Sequence, residues 1–215
     1  MFILADNPSI ASIYLNELRD ISIQGDRLRF RRNMERVGEI LAYEISKTLT
    51  YQSIQIQTPL AVTDGLSINQ HIILATILRA GIPFHQGFLN IFDKAENAFV
   101  ASYRHITDDK GSFEIKTGYS ISPDLSNKVL ILADPMLATG QSLYLAWKTL
   151  TGKYGLPAHT HIASIIASRQ GVKYIREHMP DCSLWLGAVD DHLNAQSYIV
   201  PGLGDAGDLA YGTKL

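Results

Sequence analysis

Residues 129–142 read VLILADPMLATGQS, and this stretch decides the fold. The continuous apolar run at its start predicts a buried strand from Lys128 to Ala133. Asp134 closes that strand, and a short loop containing glycine follows. A helix is then expected from Ser142 to Leu150. A buried strand that passes through a tight loop into a helix is the repeating unit of α/β proteins.

The same alternation extends on both sides of this stretch. Apolar strands are predicted at His71–Leu78, Ala98–Tyr103, Lys128–Ala133, His161–Ala167 and Ser183–Ala188, and helices at Ile82–Phe92, Ser142–Leu150 and Gly171–His178. Strands that are apolar throughout are typical of a parallel sheet covered on both faces. The sequence therefore predicts an α/β fold with a mostly parallel, twisted sheet flanked by helices. The length fits a single domain, residues 1–215.

The pattern of the first part of the chain is mainly helical. Asn7-Pro8-Ser9 is typical of a helix start. A longer helix is predicted where apolar residues recur at steps of four, three, four and four: Phe30, Met34, Val37, Leu41 and Ile45. Ile54 and Ile56 then alternate with glutamines, which predicts a half-buried strand.

Two segments are irregular in composition. The polar stretch between Arg104 and Lys128 contains glycine and proline, which predicts a hairpin-like excursion or a mobile loop. The C-terminal segment from Tyr198 to Leu215 is rich in glycine, as a flexible tail would be. Its apolar start, Tyr198-Ile199-Val200, argues instead for an ordered segment.

Composition and charge exclude several classes of protein. With 46% hydrophobic and 19% charged residues, the chain resembles a soluble globular protein. Its net charge of -2 argues against a nucleic-acid partner. Its apolar runs are too short to span a bilayer, and Met1–Asp6 does not resemble a signal peptide, so no membrane partner is expected. The single cysteine, Cys182, allows no intrachain disulfide, which fits a cytoplasmic protein.

Basic residues and histidines outside the strand ends offer two further candidate sites. The basic stretch Arg27–Arg32 is interpreted as the solvated start of a helix, with an anion or effector site at a subunit boundary as the alternative. His159 and His161 share one strand face, where ordinary packing or surface exposure is a better interpretation than metal binding.

Charged residues close three of the predicted strands: Arg79, Arg104 and Asp134. In an open α/β sheet, ligands bind at the carboxyl ends of the strands. We therefore expect these side chains to face a common crevice. A single charged residue in this position is usually only solvated, so it is the combination of two cations and one anion that indicates a site.

The loop from Leu137 to Ser142 has the components of a phosphate site: backbone N–H groups, two hydroxyls and a helix N-terminus. Asp134 would repel a phosphate and is better suited to accept hydrogen bonds from sugar hydroxyls. Together they predict a ribose-phosphate site. The alternative is a helix N-cap at Thr139 or Ser142 after an ordinary strand. The Walker pattern is excluded, since no lysine follows Gly140.

Four segments resemble the uracil phosphoribosyltransferase family. Residues 134–140, DPMLATG, resemble its phosphoribosyl pyrophosphate loop, and residues 77–81, ILRAG, resemble its pyrophosphate-binding turn. Tyr103-Arg104 matches a strand end in the family. Residues 198–208, YIVPGLGDAGD, closely resemble its uracil-binding segment, which is characteristic of the uracil enzymes. Order and spacing agree from about residue 50 onward.

The resemblance implies a type I phosphoribosyltransferase fold with a small hood formed by the N- and C-terminal segments. It implies transfer of the phosphoribosyl group of 5-phosphoribosyl 1-diphosphate to N1 of uracil, giving UMP and diphosphate in pyrimidine salvage. It also implies Mg²⁺ as cofactor, held mainly by substrate and water, and a homodimer or higher homo-oligomer.

The resemblance assigns site residues as well. The catalytic residues would be Asp134, Arg79 and Arg104. Those that bind 5-phosphoribosyl 1-diphosphate would be Arg79, Arg104, Asp134, Pro135, Met136, Leu137, Ala138, Thr139, Gly140, Gln141, Ser142 and Asp205. The uracil site would consist of Tyr198, Ile199, Gly204, Asp205 and Ala206. For Tyr198 and Ile199, core packing of the side chains is the alternative interpretation.

The chain departs from the family pattern at three positions. The family usually has glycine at the position of Gln141, a basic residue at that of Leu209 and often phenylalanine at that of Tyr211. A larger side chain at residue 141 would narrow or reshape the phosphate loop, which suggests a catalytically weak relative as one alternative. An enzyme for another base is a second. The third is a regulatory protein that senses 5-phosphoribosyl 1-diphosphate or UMP and binds RNA, which the lack of basic excess disfavours.

Overall fold

The computed structural model describes residues 1–106 and 113–213, with side chains described outside 102–117. The described strands are β1 (Phe2–Ile3), β2 (Tyr51–Gln57), β3 (Val62–Ile68), β4 (Ile72–Leu78), β5 (Glu96–Ile106), β6 (Phe113–Ile121), β7 (Val129–Ala133), β8 (Met136–Leu137), β9 (His159–Ser168), β10 (Ser183–Asp190), β11 (His192–Leu193) and β12 (Ile199–Val200). The described helices are α1 (Ile10–Arg19), α2 (Arg27–Ser46), α3 (Ile82–Ile91), α4 (Gln141–Tyr154), α5 (Arg169–His178) and α6 (Ala206–Tyr211).

A twisted central sheet has the strand order β1-β10-β9-β7-β4-β5-β6, and β8 pairs with the end of β9. Every neighbouring pair is parallel except β5 and β6, which are antiparallel. The predicted mostly parallel sheet flanked by helices is therefore confirmed. Each predicted apolar strand is present, and the strand ends Leu78, Ala133 and Ser168 lie at the same edge of the sheet.

Two hydrophobic clusters cover opposite faces of this sheet. Helices α1, α2, α3 and α6 contribute to one cluster. Helices α4 and α5 contribute to the other, with buried Leu143, Leu150 and Ile175. The apolar repeat in α2 is the centre of the first cluster, since Met34, Val37, Leu41 and Ile45 are completely buried. Burial on both faces explains why the strands are apolar throughout.

Helices α2 and α3 approach each other closely through two glycines. A Cβ on Gly87 would overlap the backbone oxygen of Glu35, and a Cβ on Gly38 would lie 3.3 Å from the Phe84 ring. Since neither glycine has a side chain, the backbones of α2 and α3 pack closely there. This close approach positions the turn that contains Arg79, which precedes α3.

The N-terminal and C-terminal segments pack together beside the sheet, as expected for the hood. Ser9 caps α1, since its Oγ accepts a hydrogen bond from the Ala11 N–H at 3.3 Å. The Gln24 side chain, after α1, donates to the Leu203 carbonyl at 3.2 Å. Arg31, in α2, donates to the Ala210 carbonyl at 2.7 Å. The C-terminal segment therefore contains the ordered elements β12 and α6, and the flexible-tail alternative is wrong for its described residues.

Two hairpins differ in how well they were predicted. β5 and β6 pair antiparallel, as the excursion expected between Arg104 and Lys128 requires, and residues 107–112 lie outside the described residues. β2 and β3 form an antiparallel hairpin that was predicted only in its first strand. The alternation in β2 predicted half burial, but Ile56 is 41% exposed and only Ile54 in that strand is partly covered.

Candidate active site

Asp134 follows β7 at the carboxyl edge of the sheet, and the neighbouring strands fix its backbone. Its N–H donates to the Ala163 carbonyl in β9 at 3.0 Å. The preceding Ala133 carbonyl accepts a hydrogen bond from the buried Thr76 hydroxyl in β4 at 2.8 Å. Asp134 as a residue keeps partial contact with solvent, but protein atoms surround its carboxyl group. Burial raises its pKa from 3.8 to about 7, and no described cation offsets that effect.

A cavity of about 240 Å³ opens beside Asp134. It brings together two segments that lie far apart in the sequence, the loop after β7 and the C-terminal segment. Its lining consists of Ala80, Asp134, Met136, Leu137, Ala138, Thr139, Gly140, Ser142, Leu143, Ser197, Tyr198, Gly204, Asp205, Ala206 and Gly207. Most residues predicted for the site are therefore collected around one space.

The loop after β7, residues 135–140, lies in the segment predicted to bind phosphate and is called the phosphate loop below; it leads directly into α4. Gly140 has φ +84°, a left-handed conformation that favours glycine. A Cβ there would also lie 2.8 Å from the Tyr174 ring. Helix α4 begins at Gln141, so the N–H groups of its first turn lack partners within the helix and can bind an anion. The N-cap alternative receives little support, because the N-cap is Gly140 and the Thr139 hydroxyl accepts only a long hydrogen bond, 3.4 Å, from the Gln141 N–H.

Arg79 lies at the end of β4 and contacts α6. Its Nη2 donates to Asp208 Oδ1 at 3.1 Å and to the Gly212 carbonyl at 2.9 Å. The Arg79 side chain is 39% exposed, so this is a solvent-accessible ion pair. Arg79 does not line the cavity itself, but the next residue, Ala80, does.

The other predicted arginine is described only in its backbone. Arg104 is opposite Ile115 in the β5–β6 ladder, and its side chain lies outside the described residues, as does that of Tyr103. Its role in the site therefore stays a prediction.

The C-terminal segment forms the opposite wall of the cavity. Asp205 caps α6 by accepting the Asp208 N–H at 2.9 Å, and Gly204 precedes it with φ +92°. Tyr198 lines the cavity and is 41% exposed, so core packing is not the role of its side chain. Ile199 is 3% exposed and belongs to the core beside β11, which supports the packing interpretation for its side chain.

An ion pair that the sequence did not predict supports this wall. Arg19 donates to both carboxylate oxygens of Asp190 at 2.8 Å and to the Gly202 carbonyl at 3.2 Å. Asp190 in turn accepts the Gly202 N–H at 2.8 Å. The turn at Gly202, within the segment that forms this wall, is thus held by a bidentate, largely buried pair from α1 and β10. These residues lie 171 positions apart in sequence, so no local pattern could reveal them.

Two residues predicted to bind 5-phosphoribosyl 1-diphosphate, Pro135 in the phosphate loop and Gln141 just after it, do not line the cavity. Pro135 is buried, and its carbonyl accepts hydrogen bonds from Ile165 and Ile166 at 3.2 and 3.1 Å. Gln141 is exposed at the start of α4. The cavity also has lining residues that were not predicted, namely Ala80, Leu143, Ser197 and Gly207. The turn at Ser197, with φ +64°, is a feature that its sequence did not signal.

The histidine pair on β9, His159 and His161, packs against neighbouring side chains of the sheet. Trp185 Nε1 donates to His161 Nδ1 at 3.0 Å, and the His159 and His161 rings meet edge to face at 4.6 Å. Burial lowers the pKa of His161 to about 4, which keeps the ring neutral as an acceptor. Among the described residues, no group of three or more His, Cys, Asp and Glu side chains could hold a metal ion. The hydrogen bond from Trp185 and the contact between the two rings support the packing interpretation of this pair.

The basic stretch at the start of α2 is largely occupied by contacts within the chain. Arg29 pairs with Glu17 at 2.6 Å, and Arg32 pairs with Glu35 at 2.6 Å. Both arginine side chains are about half exposed, at 50% and 53%. The solvated helix start therefore describes this stretch well.

Comparison with known proteins places the chain among phosphoribosyltransferases. Residues 5–213 match the family model described as uracil phosphoribosyltransferase. A uracil phosphoribosyltransferase of Porphyromonas gingivalis is 57% identical over 208 residues, covering 96% of this chain and 95% of that protein. One of Pyrococcus furiosus is 35% identical over 210 residues, covering 96% and 88%.

Solved structures support the same fold. An Aquifex aeolicus protein superposes with a TM-score of 0.86 at 28% identity, covering 97% of both chains. A hypoxanthine phosphoribosyltransferase of Staphylococcus aureus has a TM-score of 0.50 at 10% identity, covering 86% of this chain and 84% of that one. No helix in the described part of the chain is long and apolar enough to cross a membrane.

Proposed function

Because the chain belongs to the uracil phosphoribosyltransferase family, we propose that its cavity joins uracil to 5-phosphoribosyl 1-diphosphate, forming UMP and diphosphate in pyrimidine salvage. One observation carries the assignment of the site. The phosphate loop and the C-terminal segment, which match two different parts of the family pattern, line the same cavity of about 240 Å³. A ribose-phosphate site and a base site thus adjoin each other, as a transfer between them requires.

The phosphate loop would bind the 5-phosphate. Residues 137–140 and Ser142 line the cavity, and the first turn of α4 supplies N–H groups. Asp134 lies between this loop and the sheet, where it can accept hydrogen bonds from the two ribose hydroxyls. Arg79 is proposed to bind the diphosphate, since a guanidinium stays charged and donates in a fork. Its ion pair with Asp208 is exposed enough for a diphosphate to compete with the carboxylate.

The reaction breaks the bond from the ribose C1 to the diphosphate and forms a bond from C1 to uracil N1, which gives up its proton. Negative charge then increases on the leaving group, where Arg79 and Arg104 would stabilise it. Positive charge develops on the ribose, where an ionised Asp134 is favourable. We propose that alignment of the two substrates provides much of the catalysis, without a strong general base.

Magnesium fits this site as an ion held mainly by substrate. Asp134 and Asp205 both line the cavity, whereas a complete protein ligand set is lacking in the described residues. Oxygen ligands from one or two carboxylates plus phosphates and water are the usual environment of Mg²⁺. When bound, the ion would neutralise charge on the diphosphate.

The base site lies between Tyr198 and the turn at Gly204, Asp205 and Ala206. Uracil presents two carbonyl acceptors and one N3–H donor, a pattern that backbone groups can match where glycine allows close approach. Cytosine reverses the pattern at ring positions 3 and 4, which would leave buried groups without partners.

Turnover with different bases tests this proposal. Purified protein with magnesium and 5-phosphoribosyl 1-diphosphate is expected to convert uracil to UMP. Cytosine should be used about 5- to 150-fold less well, because one lost buried hydrogen bond costs roughly 1–3 kcal/mol. Equal turnover of both bases would refute the assigned base site, and absence of UMP would refute the function.

We also propose that residues 1–215 form one domain that assembles as a homodimer or higher homo-oligomer. The β2–β3 hairpin supports assembly, since Leu60, Val62 and Leu66 are 95%, 58% and 69% exposed on a projecting element. Sedimentation should show that L60S/L66S dissociates the assembly. Leu156→Ser, also at a highly exposed leucine, is the matched control and should not. A monomeric unsubstituted protein would contradict the proposal.

Cys182 supports a cytoplasmic location. Its thiol is half-buried, and burial raises its pKa to about 11, so it stays a protonated, unreactive thiol. Since it is the single cysteine, the fold needs no disulfide and suits a reducing compartment.

A further inference from the structure

The phosphate loop rests on the N-terminus of α5, and Ser168 forms the contact. Ser168 is the last residue of β9 and is completely buried. Its Oγ donates to the Ala138 carbonyl at 2.6 Å and accepts the Gly171 N–H at 2.9 Å. One hydroxyl thus caps α5 and holds a carbonyl of the phosphate loop.

Gly171 permits a second contact on the same side. A Cβ on Gly171 would overlap the Ala138 carbonyl oxygen and lie 2.7 Å from the Leu137 carbonyl oxygen. Two successive carbonyls of the loop therefore face the first turn of α5. The partial positive charge at that helix end favours the approach of carbonyl oxygens.

The direction of these carbonyls determines the direction of the adjacent N–H groups. Both peptide bonds are trans, and in a planar trans peptide the N–H points away from the C=O. The N–H groups of Ala138 and Thr139 are therefore turned away from α5. Ala138 and Thr139 both line the cavity, whereas Ser168 and Gly171 do not, so these donors face the cavity.

We infer that Ser168 is a positioning residue for the 5-phosphate. It acts through the Ala138–Thr139 peptide, whose carbonyl it holds while the opposite N–H binds the phosphate. This inference rests on the proposed function, since the ligand of the loop is the 5-phosphate of the substrate and of UMP. Without the hydroxyl, the peptide loses the bond that fixes its orientation, and α5 loses its cap.

The contribution of the phosphate is measured by comparing UMP with uridine, which has the same base and sugar and lacks the phosphate. The dissociation constant of uridine divided by that of UMP, both measured by calorimetry or competition, isolates the phosphate contacts. In Ser168→Ala, UMP should bind about 3- to 10-fold more weakly, the range for one buried hydrogen bond, while uridine binding is unchanged. A general loosening of the fold would weaken both ligands and leave the ratio unchanged.

Ser164→Ala is the matched control. Ser164 lies in the same strand, is equally buried, and its hydroxyl has no hydrogen-bond partner among the described residues. The Ser164→Ala substitution should leave the dissociation constants of UMP and uridine unchanged. Ser168→Cys keeps a weak donor in nearly the same volume and should give a ratio between those of the unsubstituted protein and Ser168→Ala.

The outcomes separate this inference from the proposed function. If the unsubstituted protein does not bind UMP more tightly than uridine, the phosphate loop is misassigned and the proposed site fails. If it does, and Ser168→Ala keeps the same ratio, the positioning role alone is refuted. An equal fall of the ratio in Ser164→Ala would also refute it, because the effect would then belong to the strand and not to the hydroxyl at residue 168.

Discussion

Replacing Asp134 by asparagine tests the proposed chemistry most directly. The change keeps the size of the side chain and removes its charge. An ionised Asp134 would accept charge-assisted hydrogen bonds from the ribose hydroxyls, each worth about 1.5–3 kcal/mol. Loss of one such bond predicts a fall of roughly 10- to 150-fold in kcat/KM for 5-phosphoribosyl 1-diphosphate. Because positive charge on the ribose exists only in the transition state, the single-turnover rate should fall more than substrate affinity.

The pH dependence of the same reaction supplies an independent measure. Burial raises the pKa of Asp134 to about 7, so in the free enzyme the carboxylate is about half ionised at neutral pH. We expect kcat/KM to rise with pH up to a plateau above about 7 and to fall about tenfold per pH unit well below it. The ribose phosphate group also titrates in this range. Asp134→Asn is the control, because the variant should lose the pH dependence due to the carboxyl group and keep that due to the phosphate.

The free energy of unfolding should depend on pH in the opposite direction to kcat/KM. The folded pKa of about 7 lies above the unfolded value of 3.8, so the folded state binds the proton more tightly. Stability therefore falls as pH rises from about 4 to 7, by at most about 4 kcal/mol. The Asp134→Asn variant has no carboxyl group to ionise, so it should melt at a higher temperature than the unsubstituted protein, with a larger difference at pH 8 than at pH 5.

An unchanged single-turnover rate with intact substrate binding in Asp134→Asn would refute the role of Asp134 in the reaction.

Three further changes test other parts of the structure. Arg79→Ala should weaken diphosphate binding about 10- to 100-fold in titration calorimetry without changing the KM for uracil, and unchanged binding would remove Arg79 from the site. Arg19→Ala leaves the carboxylate of Asp190 buried without its cation, so the free energy of unfolding in denaturant should fall by about 2–4 kcal/mol and the KM for uracil should rise. An unchanged KM would show that the ion pair supports only the fold. Gly87→Ala should cost about 1–3 kcal/mol by forcing α2 and α3 apart, and normal stability in thermal melts would contradict the close approach of these helices.

The sheet could be predicted from local pattern because burial on both faces leaves a clear signal. Each of the apolar runs from His71 to Ala188 is a strand in the structure, and the apolar repeat in α2 is buried as its spacing indicates. The β2–β3 hairpin shows where this reasoning ends. The alternation of Ile54 and Ile56 with glutamines predicted half burial, but β2 pairs with β3 away from the core and is largely exposed. A local pattern cannot predict whether another element will pack against the apolar face of a strand.

The sequence alone determined the order of strands and helices, the strand-loop-helix unit around Asp134, and the family, since motifs at fixed spacing carry that information locally. Only the tertiary structure decided which of those residues meet. It brought the C-terminal segment onto the phosphate loop, placed Ile199 in the core, and paired Arg19 with Asp190 and Ser168 with the Ala138 carbonyl. Contacts between distant residues depend on how the helices and the hood pack against the sheet, and that packing is a property of the whole chain.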